Sequence, residues 1–276
     1  MAGRMSTALD RMSDRLSSLG HQLLFYGRAA IATPGAFRNH RREVWRLLGE
    51  ASFGTGALAV IGGTFGVILL LSFFTGTEVG LQGYTGLDNI GASIFTGFIS
   101  AYFNTREIAP IVAGISLSAT LGAGFTGQLG AMRIAEAIDA IESMAIPPIP
   151  YLVTTRVIAG MIAVVPMYLA GLFASYFATR MIVTASFDQS TGAYDHYFHL
   201  FLPPMDVLLS LVKALIFAII VILVHCYYGF TASGGPGGVG VAVGRAVRAA
   251  IVLVTVSDFF ISLAFWGATD TVRIAG

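Results

Sequence analysis

The chain has 276 residues, 55% of them hydrophobic and only 11% charged, with a formal net charge of +1. Soluble domains carry about twice that share of charged residues, so the composition excludes a soluble protein, and no nucleic-acid partner is assigned. Runs of about 20 apolar residues, each enough to cross a bilayer, recur along the whole length and leave no room for a large soluble domain.

In chain order, Met5, Leu9, Met12, Leu16, Leu19, Leu23 and Tyr26 keep a three-four spacing, with Arg11, Asp14, Arg15 and Gln22 elsewhere on the wheel. The pattern predicts an amphipathic helix lying along a membrane surface; a coiled-coil arm is the other reading. After the break at Thr33-Pro34-Gly35, FRNHRREVWRLLGE forms a second basic segment with Trp45 at headgroup depth. Residues 1–50 are thus cytoplasmic or interfacial helices, and residues 51–276 a membrane domain. The first long apolar run begins too late for a cleavable signal peptide.

The first span is expected from about Ala51 to Phe74, with Gly62 and Gly66 four apart for close helix packing. Thr75 to Gly91 contains no Lys or Arg and reads as an external connection. The second apolar stretch, from Ala92 to about Phe125, is interrupted by NTREIAP, and a kink at Pro110 puts Arg106 and Glu107 near membrane depth. Charged groups there face a cavity or one another. Adjacent residues on a helix point about 100° apart, so a direct pair is not assured.

Gly127 to Pro148, GQLGAMRIAEAIDAIESMAIPP, is a polar helix in a greasy chain. Ile134, Ile138, Ile141 and Ala145 form an apolar stripe, Arg133, Glu136, Asp139 and Glu142 fill the opposite arc, and Pro147 and Pro148 stop it. Its carboxylates exclude it from lipid, which places a charged helix near residues 128–146 at a membrane surface, where a partner can take hold. A third span covers about Tyr151 to Ile182, with Pro166 as a kink. SFDQSTGAYDHYFHLFLPP follows as the longer external loop. His196 and His199 are three apart, but no third ligand lies nearby, so solvated histidines are expected and no metal is assigned.

The fourth span, about Met205 to Tyr228, carries Lys213 near its outer end, where snorkelling is expected, and Cys226 as a small buried hydrophobe. TASGGPGGVGVAVGR reads as a flexible inner loop before a fifth span ending near Trp266. Asp258 within that span must face protein or a cavity. Five spans place the N-terminus in the cytoplasm and the C-terminus outside, with twelve arginines inside against two outside.

Gly122 to Gly127 match GxGxxG in letters only, because no strand precedes them. The chain has no GxxxxGK[ST] with which to bind ATP, and neither HExxH nor GxSxG, so no catalytic residue and no cofactor of its own is assigned.

TREIAP followed by GAGFTGQLGAMRIAEAIDAIESMAIPPIPYLVTTRVIAG, with FRNHRREV, GLQGY at Gly80 to Tyr84, Lys213 to Phe217 and Ser257-Asp258-Phe259, resembles the MlaE/YrbE family of permease subunits from about His21 to Trp266. The TREIAP form and the absence of Lys except at Lys213 look most like its actinobacterial YrbE branch, B-type. The resemblance implies an all-α permease domain in the cell (inner) membrane and a lipid or fatty-acid transporter of the ABC type. Its partners are a second permease subunit (a heterodimer favoured over a homodimer), two cytoplasmic ATPase subunits that hold ATP and Mg, and extracytoplasmic MCE-domain proteins. Arg133, Glu136, Asp139, Glu142 and Met144 would form the ATPase-coupling face. Arg106, Glu107 and Ile108 would line the substrate cavity, with Gln82 and Tyr84 near its mouth and Lys213 and Asp258 as intramembrane polar groups. Family members often carry Arg at the position of Thr120 and Glu at that of Gln128, which suggests a replaced structural pair. A non-transporting scaffold anchoring an extracytoplasmic assembly is the alternative; an intramembrane enzyme is disfavoured.

Overall fold

The computed structural model describes residue 17, residues 20–53 and residues 63–267. The N-terminal amphipathic stretch before Gly20 (Ser17 apart), Gly62 and Arg273 lie outside the described residues. In chain order the helices are α1 (20–31), α2 (Thr33–Asn39), α3 (Arg41–Phe53), α4 (Thr64–Asp88), α5 (Ser93–Ile134), α6 (Ala137–Ser143), α7 (Ile149–Ser186), α8 (Thr191–Leu200), α9 (Pro204–Phe230) and α10 (Gly235–Trp266). Five of them, α4, α5, α7, α9 and α10, are long and apolar enough to cross a membrane. With no strand among the described residues, the protein is an all-α integral membrane protein.

Several boundaries differ from those expected, each for a physical reason. The connection expected from Thr75 to Gly91 is helical as far as Asp88, so α4 is one long element. Its glycines serve close packing here. A Cβ on Gly76 would stand 2.4 Å from the Ser175 carbonyl oxygen, and one on Gly80 or Gly83 would strike Ile182 or Ile99. Its threonines return their hydroxyls to the helix, Thr75 to Leu71 O at 2.8 Å and Thr85 to Leu81 O at 2.8 Å. Small residues in a membrane helix thus allow backbone approach, the main source of contact energy where lipid is as apolar as the protein. Across the same interface Thr179 Oγ1 donates to Gly76 O at 2.6 Å and accepts from Asn104 Nδ2 at 2.9 Å, joining α4, α7 and α5.

The glycine-rich segment expected as an inner loop forms the first turns of α10, which starts at Gly235 after Gly234 adopts φ 90°. Pro236 in the first turn costs no hydrogen bond, because the N–H groups there have no intrahelical acceptor. The external loop contains α8. At about 1.5 Å per residue, α5 and α7 are longer than a bilayer core is thick, so both project beyond it. Helix α5 also widens into π turns at Ser100–Ile108 and Ser118–Gly122.

Among the glycines of the spurious GxGxxG pattern, Gly122 faces a neighbour: a Cβ there would lie 2.5 Å from the His225 ring. That buried ring is held between Ser118 Oγ (3.0 Å to Nε2) and Thr126 Oγ1 (2.8 Å to Nδ1). Thr120 and Gln128 are not partners. Thr120 Oγ1 donates to Ser116 O, and Gln128 Oε1 accepts from Arg156 Nη2 at 3.1 Å.

Candidate functional site

Helix α9 begins and α10 ends at the same end of the bundle as α8, and their facing stripes carry the polar residues. Asp206, Ser210 and Lys213 recur at i, i+4 and i+7 on α9, and Asp258, Ser262 and Trp266 at i, i+4 and i+8 on α10. The π turn of α5 places Arg106 and Glu107 against both.

Arg106 turns to Asp206. Its Nη2 lies 2.7 Å and its Nε 2.8 Å from Asp206 Oδ2, while Trp266 Nε1 donates to Asp206 Oδ1 at 3.0 Å. The guanidinium carbon also sits 4.3 Å from the Tyr102 ring centroid and 5.3 Å from that of Trp266, so aromatic faces cover the cation. Lys213, expected to snorkel, is instead fully buried. Its ammonium lies 2.6 Å from Asp258 Oδ1, 3.2 Å from Glu107 Oε2 and 2.7 Å from Ser262 Oγ, and Ser262 donates to Glu107 Oε1 at 3.0 Å.

One further bond explains why proline and lysine belong together. Pro110 has no N–H to offer the carbonyl four residues back, which is Arg106 O, and Lys213 Nζ donates to that oxygen at 2.7 Å. The carbonyl opposite the proline is therefore bonded by the buried ammonium. A charge brought from water to this depth costs several kcal/mol unless paired, which accounts for the density of partners.

Access differs sharply among the members. The side chains of Arg106, Asp206, Lys213 and Asp258 are exposed by 9%, 11%, 0% and 13%, that of Glu107 by 33%. Glu107, with half-buried Ile108 beside it, is where the network meets its surroundings. Gln82 and Tyr84 are not bonded to it: Gln82 Nε2 donates to Glu78 on the exposed face of α4, and Tyr84 stacks on Phe187 at 4.2 Å. Sequence reasoning missed Asp206 and Trp266. The available signal was their spacing of seven and eight residues from Lys213 and Asp258.

At the opposite end, the predicted single helix from Gly127 to Pro148 is two pieces. Gly127 to Ile134 is the end of α5, the chain turns at Ala135 and Glu136, the latter at φ 56°, and α6 covers only Ala137–Ser143. The helix ends before the prolines: Ala145 takes φ 62° and Ile146 N–H returns to Ile141 O. Ile138 is buried and anchors the turn. Arg133 Nη1 reaches across the break to Asp139 Oδ1 at 2.7 Å, and Glu136, Asp139, Glu142 and Met144 are exposed. Among the described residues no three His, Cys, Asp or Glu side chains come together as a metal site.

A family model described as Permease MlaE matches residues 53–264, a range that includes four long helices whole and all but the end of α10. The chain is 32% identical over 201 residues to a probable ABC transporter permease protein of Rickettsia felis, covering 72% of this chain and 77% of the relative. It is 29% identical over 206 residues to a probable ABC transporter permease protein of Synechocystis, 74% and 78% of the two chains. To the Arabidopsis thaliana chloroplastic protein named trigalactosyldiacylglycerol 1 it is 28% identical over 211 residues, 76% of this chain and 60% of the other.

Proposed function

Because this chain belongs to the MlaE permease family, we propose that it is the membrane subunit of an ATP-driven transporter for lipids or fatty acids, of the actinobacterial YrbE branch. It is a multi-pass membrane protein and the permease of an ABC-type system. The observation that carries the coupling assignment is the exposed acidic turn Glu136, Asp139 and Glu142, joined directly to the two long helices most buried in the bundle, α5 and α7. A cytoplasmic ATPase that binds ATP and Mg grips this turn, and its closure moves both helices as rigid levers.

At the far end, Glu107 and Ile108 form the accessible wall of a lipid cavity that opens toward MCE-domain proteins, with Arg106 held behind them by Asp206. The orientation, N-terminus in the cytoplasm and C-terminus outside the cell (inner) membrane, rests on the arginine excess before the first span. Only 17% of the apolar window of α10 is buried, against 56% for α5. That free face suits lipid and a second permease subunit, a heterodimer being favoured. The Arabidopsis relative's name is that of a glycerolipid, which supports a lipid cargo.

Reversing Glu136, Asp139 and Glu142 to Lys tests the coupling role. Copurification of the ATPase and lipid uptake should both collapse, and unchanged association would refute it. The alternative, a scaffold that anchors an extracytoplasmic assembly, makes Glu107 a matter of folding only. The Glu107→Gln variant should assemble normally yet lose lipid transport; transport at the original rate would favour the scaffold.

A further inference from the structure

Helix α1 is fixed to the bundle by one face. Phe25 and Ala29 are buried, Phe25 packs edge-on to Tyr227 and tilted to Phe230, both with ring centroids 5.5 Å away, and Thr154 Oγ1 donates to Ala29 O at 3.1 Å. The other face carries Leu23, Leu24 and Ile31, exposed by 69%, 62% and 85%. Three large aliphatic side chains turned away from the protein on an amphipathic helix mark a surface immersed in the membrane interface.

Between this helix and the α6 end of α9 lies a cleft of about 510 Å³, with His21, Leu24 and Arg28 on one wall and Ile149 and Phe230 on the other. Among the described residues no carboxylate lines it. Arg28 is exposed and makes no ion pair with any described residue. On the opposite flank of α1 a second cleft of about 510 Å³ shares Tyr227 and Thr231 with the first, contains Arg245, and again has no carboxylate among the described residues. The volume is in the range of small-molecule sites. The charge is of one sign, and the apolar residues around it lead to a surface that meets acyl chains.

We propose that this cleft binds the headgroup of an anionic phospholipid. The Arg28 guanidinium grips the phosphodiester, His21 offers a ring nitrogen to the rest of the headgroup, and the acyl chains run out over Leu24 and the exposed face of α1. Ile149 opens α7 immediately after the α6 turn, so the lipid sits where α1, α7 and α9 converge beside the coupling segment. That the lipid comes from the cytoplasmic leaflet rests on the orientation proposed above; the site itself does not.

The test is native mass spectrometry of the purified full chain in mild detergent, incubated with phosphatidylglycerol or with phosphatidylcholine of the same acyl chains. The wild-type chain should retain one phosphatidylglycerol in preference to phosphatidylcholine. Arg28→Gln should weaken that retention about fivefold, and Ile149→Trp, which fills the cleft without touching a charge, should abolish it. Equal retention of the two lipids, or wild-type retention of phosphatidylglycerol by Ile149→Trp, would overturn the proposal even if Arg28→Gln failed to fold. Displacement of the lipid by inorganic phosphate alone would assign the site to a free anion and equally overturn it. Neither result depends on ATPase coupling.

Discussion

Two charged regions of this molecule use the same amino acids to opposite ends. At the α8 end, Arg106, Glu107, Asp206, Lys213 and Asp258 are drawn from three helices into one bonded network, and four of the five are nearly inaccessible. At the α6 turn, Arg133, Glu136, Asp139 and Glu142 sit within ten residues of one another, and only Arg133 and Asp139 are ion-paired. A buried charge is held by what the fold has arranged for it and contributes to the choice of fold. An exposed one contributes little to stability and remains available to a partner. The contrast separates architecture from recognition, and substitutions can break or sharpen it.

The largest effect is expected at Lys213. Lys213→Met removes the only cation bonded to Asp258 and to Glu107 among the described residues, and with it the hydrogen bond to Arg106 O. Stranding a buried partner in this way costs about 3–5 kcal/mol, and the unfolding midpoint in detergent should fall accordingly. Adding Asp258→Asn should recover part of the loss, since the isolated carboxylate is then gone. A wild-type midpoint for Lys213→Met would mean that the ammonium is not buried as described. Arg106→Gln should cost less, about 1.5–3 kcal/mol, because Trp266 Nε1 still donates to Asp206 and the amide retains a donor.

Much of this contrast could be read from the sequence, and what could not has identifiable causes. Five apolar runs gave the five spans, since length and hydropathy are local properties. Arg106, Glu107 and Asp258 stood out because charge inside an apolar run is itself the signal. Asp206 and Trp266 did not, lying in the first turn of α9 and at the last residue of α10, where polar and aromatic residues are ordinary. The burial of Lys213 depends on a carbonyl freed by a proline on another helix, which no spacing within α9 encodes. The stretch from Thr75 to Gly91 reads as a connection from its lack of Lys and Arg, but in a membrane its glycines serve close helix packing, which charge does not report. At the α6 turn, of the stripe Ile134, Ile138, Ile141 and Ala145, Ile138 is buried and Ile141 half-buried while Ile134 and Ala145 are exposed, because Glu136 takes a left-handed backbone and splits the helix, which periodicity cannot show.

The middle of the scale belongs to that turn. Reversal of Glu136, Asp139 and Glu142 to Lys should leave the unfolding midpoint within about 0.5 kcal/mol of wild type, the usual range for exposed substitutions, while ATPase copurification falls at least tenfold. If stability and association fall together, the turn is part of the fold and the contrast with the buried network dissolves.

The smallest effect is expected for an exposed ion pair at the α8 end. Arg180 and Asp195 join the end of α7 to α8 through two bonds, Nε to Oδ1 at 2.8 Å and Nη2 to Oδ2 at 2.9 Å, with side chains 45% and 40% exposed. The hydrogen bond from Arg180 holds the Asp195 carboxyl below its ordinary value of 3.8, with slight burial opposing it. A carboxylate whose folded pKa is depressed stabilises the protein above its unfolded pKa, and that contribution is lost as pH falls through the folded value. Solvent screening at this exposure limits it to about 0.2–1 kcal/mol. Asp195→Asn should therefore unfold slightly earlier than wild type at pH 7, and the two midpoints should converge as the pH is lowered below about 4. A gap that persists at the acid end would assign the loss to packing of α8 instead of charge. Convergence would place this pair between the buried network and the free turn, with its energetic weight set by how much water each carboxylate keeps.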